Sequence, residues 1–189
     1  MTRWEVIQQL IDKKGFRSFL EIGTFRGETF SKVKCAIKES VDPDPLANAT
    51  YQMTSDEFFK NYHYRYDIIF IDGLHERNQV WRDILNSISC LNKNGVIVMH
   101  DCLPENEEMQ EWSDHSHQDK AWTGDAWKAY LKALYSLPYY VYLIDTDYGC
   151  GIIDTGAGWR RVPFRRINMD TLQWKDFDKS IMNIKPEVL

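Results

Sequence analysis

The sequence predicts an α/β domain: a doubly wound, Rossmann-like sheet, mostly parallel, with an antiparallel hairpin at its C-terminal end and helices on both faces. Three observations carry this expectation. Short apolar runs of strand length recur at residues 16–22, 66–71 (Tyr-Asp-Ile-Ile-Phe-Ile) and 95–99 (Gly-Val-Ile-Val-Met), the pattern of strands buried on both faces. Stretches with apolar residues at helical spacing lie between them. Finally, the polar residues best suited to chemistry fall just after the strands, where sheets of this kind bind ligands.

The elements follow in order. Residues 1–14 carry Trp4, Ile7, Leu10 and Ile11 at helical spacing, and Gly15 is a stop signal. A buried strand over 16–22 closes at Gly23, and a helix is expected over 28–39. Ser40-Val41 reads as a very short strand, broken at Asp42-Pro43-Asp44-Pro45 because prolines cannot continue a ladder. A short helix over 56–61 would be capped by Thr54 or Ser55. After strand 66–71, a helix over 78–91 places Val80, Trp81, Ile84, Leu85 and Ile88 on one side. Strand 95–99 leads into the polar stretch 104–120, read as a long loop with room for one helical turn. A helix over 124–137 precedes strands 139–145 and 151–154, separated by a turn at Asp147-Tyr148-Gly149. Beyond Gly158 there is no clear period. Without a repeat or linker, the 189 residues read as one domain with a core over about 16–154 and a tail over 159–189.

Composition narrows the function. The formal net charge of -5 argues against a nucleic-acid partner, which usually meets a basic face. Cys35, Cys90, Cys102 and Cys150 form neither a CxxC pair nor a metal-ligand spacing, which reads as reduced thiols. No apolar run is long enough to span a bilayer. The early charges Arg3, Glu5, Asp12, Lys13 and Lys14 do not suit a secretory leader. A cytoplasmic protein is expected, with no membrane or nucleic-acid partner.

Right-handed crossovers bring the strand ends to one edge. There the sequence supplies Glu21-Ile22-Gly23-Thr24-Phe25-Arg26-Gly27, then Asp42, then Asp72-Gly73-Leu74-His75, then His100-Asp101-Cys102. Gly23 and Gly27 lie between a strand and a helix, where a ligand can approach bare backbone. A dinucleotide fold would carry Gly at position 25, so that a pyrophosphate could lie on the helix N-terminus. Phe25 disfavours that and leaves room for a nucleoside without a pyrophosphate. Asp42, 19 residues after Gly23, stands where an acid can bind two ribose hydroxyls; it also suits a turn. His75 and His100 are candidate general bases, though a histidine at such a place is often only a structural hydrogen-bonder.

Taken together, residues 19–27, Val41-Asp42-Pro43, residues 66–75 and residues 94–101 resemble class I S-adenosylmethionine-dependent methyltransferases. The likeness is to the small O-methyltransferase-like branch whose strand ends in Asp-Gly-x-His, and it covers roughly residues 16–154. Gly124-Asp125-Ala126-Trp127-Lys128 resembles a stretch of its bacterial members. The resemblance implies S-adenosylmethionine as cofactor, with Glu21, Gly23, Thr24 and Gly27 around its methionine end and Asp42 on the ribose. Thr54 and Ser55 would lie near the adenine, and Asp72 beside the reacting methyl. It implies transfer to oxygen on a small polyhydroxylated or sugar-like acceptor, with Asp72, His75 and His100 as the catalytic group. Metal-dependent relatives hold a divalent cation on acids at the positions of Asp72 and Asp101. Here Cys102 replaces the usual third ligand, and His75 or His100 could substitute, favouring a softer metal than Mg2+.

Several readings stay open. The loop 111–117 reads as a solvated lid or a metal-binding loop. Trp122, Asp125, Trp127 and Lys128 could wall the acceptor pocket. The basic runs at 159–161 and 164–166 read as solvated surface or as a site for an acidic group on the acceptor. Compared with catechol-type relatives, little chain precedes the first strand. That suggests an open site, completion by a second subunit in a homo-oligomer, or a cofactor-binding partner protein without catalysis. A nicotinamide-dependent oxidoreductase is the remaining rival, and Phe25 speaks against it.

Overall fold

The computed structural model describes residues 1–111, 121–158 and 163–188. The elements run α1 (Arg3–Lys14), β1 (Ser18–Ile22), α2 (Glu28–Lys32), β2 (Ile37–Val41), α3 (Ser55–Asn61), β3 (Tyr66–Ile71), α4 (Arg77–Cys90), β4 (Leu91–Met99), α5 (Glu107–Gln110), α6 (Ala126–Ser136), β5 (Tyr140–Ile144), β6 (Cys150–Asp154) and β7 (Ile184–Lys185). The strands form one sheet in the order β2-β1-β3-β4-β6-β5-β7. β2, β1, β3 and β4 are mutually parallel, β6 is antiparallel to both β4 and β5, and β7 is parallel to β5.

Side-chain alternation divides the core between the two faces. Phe19, Ile68, Phe70, Val96 and Val98 pack with Val6, Ile7, Leu10 and Ile11 of α1. Their neighbours Leu20, Ile22, Ile69, Ile71, Ile97 and Met99 pack with α4 and α6, through residues such as Val80, Ile84, Trp127 and Leu131. The apolar stripe of α1 is thus explained by burial, and Gly15 ends the helix in the left-handed conformation at φ 67°.

Several expectations need correcting. The helix expected over 28–39 stops at Lys32, and the residues that follow form β2 from Ile37 rather than from Ser40. This edge strand reads as polar because Ile37 and Lys38 lie at its open end, while only Ser40 and Val41 are buried. β4 also begins earlier than expected, at Leu91 instead of Gly95. Thr54, not Ser55, caps α3, through a reciprocal box with Glu57. The tail, for which no period could be read, packs: Met169, Met182 and Val188 are buried, Phe177 meets the Trp127 ring edge-on, and β7 extends the sheet. No helix among the described residues is long and apolar enough to cross a membrane.

Candidate active site

The strand order reverses between β1 and β3, so their C-terminal ends splay and leave a crevice. β1 leads into Gly23, whose φ is +87° and whose backbone lies so close to β3 that an added Cβ would meet the Asp72 carbonyl oxygen at 2.2 Å. Only glycine satisfies both demands. The turn after it is organised by Asp42: one carboxylate oxygen accepts from the Thr24 and Phe25 amides at 2.8 Å each, and the other from the Asp44 amide at 2.9 Å. The acid after β2 therefore shapes the glycine turn. Phe25 stands 68% exposed with a left-handed backbone.

Glu21, at the buried end of β1, is 1% exposed, and its Oε2 has no hydrogen-bond partner among the described residues. Burial, reinforced by the nearby Asp72 carboxylate, pushes its acid up to about 8. The Thr24 hydroxyl beside it is likewise buried without a partner. Buried polar atoms seldom stay unsatisfied, so ordered water or a ligand is to be expected at this pair.

The ends of β3 and β4 carry the charged centre. His100 Nδ1 lies 3.1 Å from Asp72 Oδ1 and 3.2 Å from Asp101 Oδ1. His75 places Nε2 3.4 Å from Asp72 Oδ1 and Nδ1 3.0 Å from Asp101 Oδ2, the latter close but not aligned for a hydrogen bond. Asp101 is aimed inward by a left-handed backbone at φ 58°, which Asp tolerates better than most residues. Burial works to raise the Asp72 carboxyl, but His100 and His75 outweigh it and hold it well below the usual carboxylate range. Burial likewise opposes charge on His100, yet Asp72, Asp101 and Asp147 raise it well above the ordinary imidazole value. His75 is raised for the same reason.

The structure adds two residues that sequence reasoning did not place here. Asp147 lies in the β5–β6 turn, with Oδ1 3.7 Å from His100 Nε2. β5 runs parallel to β4, so the hairpin turns back at the edge where the parallel strands end. That geometry was implicit in the predicted hairpin. Arg3, at the start of α1, bonds Asp147 Oδ2 through its amide at 2.8 Å and through Nη1 at 3.2 Å. Its Nε bonds Thr29 Oγ1 at 3.0 Å and lies 3.5 Å from Asp72 Oδ2.

On the α6 side, Trp122 stacks on His75 with ring centres 5.2 Å apart and planes 14° apart. Asp125 receives the Arg77 amide and Nη1, both at 2.7 Å, and so holds the first turn of α4. Lys128 pairs with Asp125 at 3.3 Å. Trp127, considered for the acceptor wall, is fully buried core. Ser55 lies at the start of α3, where its hydroxyl accepts from Gln79 of α4 at 3.1 Å. Of the lid loop 111–117, only Glu111 is described. The basic run 159–161 also lies outside the described residues.

Comparison with known proteins agrees with this layout. A family model described as a methyltransferase domain matches residues 47–102, the stretch that carries Asp72, His75, His100 and Asp101. No curated protein matches the sequence. Among solved structures, an O-methyltransferase from Bacillus cereus in complex with S-adenosylhomocysteine is 15% identical, covering 80% of each chain with a TM-score of 0.58. A methyltransferase from Podospora anserina with S-adenosylhomocysteine bound is 14% identical, covering 83% of this chain and 76% of that one, TM-score 0.59. An O-methyltransferase from Streptomyces achromogenes involved in tomaymycin synthesis, with S-adenosylmethionine bound, is 11% identical, covering 81% and 79%, TM-score 0.56. The matched segment resembles a methyltransferase domain, and the sheet with its crevice is the Rossmann-like fold of these solved methyltransferases. The chain's fold is that of the small O-methyltransferase-like branch.

Proposed function

We propose that this protein transfers the methyl group of S-adenosylmethionine to a hydroxyl of a small polyhydroxylated, sugar-like acceptor. The observation that carries the reading is one juxtaposition. Unpartnered, buried Glu21 and Thr24 atoms at the glycine turn stand beside the Asp72–His75–Asp101 cluster. The first group suits the charged end of the cofactor, and the second suits hydroxyls.

The cofactor would supply an electrophilic sulfonium methyl; the chain's residues bind, orient and take a proton. Gly27, with open space beside its Cα, leaves backbone for the methionine end, and Glu21, protonated in the free protein, would give up its proton to pair with the ammonium. Asp42 has roughly four acceptor positions, of which three are used on amides, so the ribose would find it pre-oriented with one to spare. Ser55, at the start of α3, would stand toward the adenine. His75, with 19% of its side chain exposed against 7% for His100, is the better placed base. Asp72 and Asp101 flank it and stabilise the imidazolium formed when it takes the hydroxyl proton. His100, boxed by three carboxylates, holds them in place.

Asp72, His75 and Asp101 also present one donor atom each, all within 4.8 Å of one another. They fit a divalent cation, which would orient acceptor hydroxyls and lower their pKa.

Calorimetric titration with S-adenosylhomocysteine and, separately, NADH, each with and without Mg2+ or Mn2+, tests the reading. The expected result is micromolar binding of the first, roughly -8 kcal/mol, and none of NADH. Saturable heat on adding metal would place a cation on the cluster. Folded protein that does not bind S-adenosylhomocysteine overturns the reading.

A further inference from the structure

We infer that Arg3 is the residue that recognises the carboxylate of the cofactor's amino-acid end; the inference rests on the cofactor reading above. The guanidinium bridges the two parts of the crevice. Nε is bonded to Thr29, in the first turn of α2 just beyond the glycine turn, and the same atom lies 3.5 Å from Asp72 at the end of β3. Nη1 is anchored on Asp147 at 3.2 Å. Nη2 makes no hydrogen bond among the described residues; its nearest anion is Glu28 at 4.0 Å. One prong of the fork is thus left over while the other donors fix its position.

The crevice edge gathers Asp72, Asp101 and Asp147 around His75 and His100, so these two imidazoles are already engaged by carboxylates, and a ligand carboxylate entering there is best met by a cation with a donor directed elsewhere. Arg26 stacks on the exposed Phe25 ring at 5.1 Å, on the outer side of the turn. Lys38 is bonded to the Phe30 and Val33 carbonyls at 2.6 and 3.0 Å. Of the arginines and lysines near the glycine turn, Arg3 has both a position in the crevice and a guanidinium nitrogen to give. A planar fork also suits a carboxylate better than an ammonium does.

Arg3 and Glu21 then form a matched pair. Glu21 projects from β1 to the face that carries α1, the same face as Phe19, and would meet the ligand's ammonium while Arg3 meets its carboxylate. In the free protein Arg3 neutralises Asp72 in part. With ligand present that share of its charge goes to the carboxylate, and Asp72 is left to the reacting centre.

Two probes separate this from a structural role. S-adenosylhomocysteine carries the carboxylate; its decarboxylated form, S-adenosyl-3-thiopropylamine, keeps the nucleoside, thioether and amine. Wild type, Arg3→Ala and Arg3→Lys are titrated with both, and melting curves establish that each variant is folded. The expected result is that Arg3→Ala weakens S-adenosylhomocysteine tenfold or more and leaves the decarboxylated compound within twofold. Arg3→Lys should fall between. Equal loss for both compounds, or no loss for either, overturns the assignment. If wild type binds the decarboxylated compound as tightly as S-adenosylhomocysteine, the assignment falls while the cofactor reading stands; if wild type binds neither, both fall.

Discussion

Glu21 shows how much one side chain can report. Its acid is raised from 4.5 to about 8 by burial and by Asp72, so in between the folded chain holds a proton that the unfolded chain has lost. The stability this contributes is complete below about pH 4.5 and is lost as pH rises through about 8, by an amount on the order of a few kcal/mol. His75 and His100, also raised, lose their contribution in the same direction, so the comparison must be between variants. Glu21→Gln should melt higher than wild type at pH 9 and show a smaller drop between pH 6 and pH 9. Equal drops in the two proteins would contradict the placement of Glu21.

At this scale the sequence pointed to part of the candidate site and passed over the rest. Asp72, His75, His100 and Asp101 were found because strand ends in a parallel sheet must converge. Arg3 belongs to no strand end, and its charge counts in the sequence only against a secretory leader. Asp147 was visible only as a turn residue.

Among the elements, the loop between β3 and α4 is tightly specified by its neighbours. Gly124, at φ +57°, lies so close to it that an added Cβ would meet the His75 carbonyl oxygen at 2.2 Å. The adjacent Asp125 amide bonds that same oxygen at 3.0 Å. The segment before α6 therefore sets the height of His75. Gly124→Ala should cost several kcal/mol, through a backbone clash and a strained φ together. Where it folds, it should displace His75 and weaken any metal binding at the cluster more than binding of S-adenosylhomocysteine. A melting temperature within a degree of wild type would refute this. Sequence reasoning found α1, α4, α6, β3 and the hairpin because each has a clean period or an unbroken apolar run. It misjudged α2 and β2 because an edge strand with Lys38 and Glu39 in it carries no apolar run and follows a helix of only five residues.

For the whole molecule, the doubly wound architecture could be read from the alternation of elements, but the tail could not. Its two short 3-10 turns and two-residue strand follow no period. They are held instead by particular contacts, such as the Tyr130 hydroxyl donating to the Met182 carbonyl and Asn183 donating to the Val141 carbonyl. Information of that kind lies in pairs of distant residues.

The turn that brings Asp147 beside Arg3 joins positions 144 apart in the chain. A contact of that separation carries more loop-closure entropy than the pairing of β1, β3 and β4, so the charged rim is expected to form after the strand ends have met. In refolding experiments, capture of S-adenosylhomocysteine should lag the recovery of far-ultraviolet circular dichroism. Simultaneous recovery of the two signals would show that the rim is in place from the start.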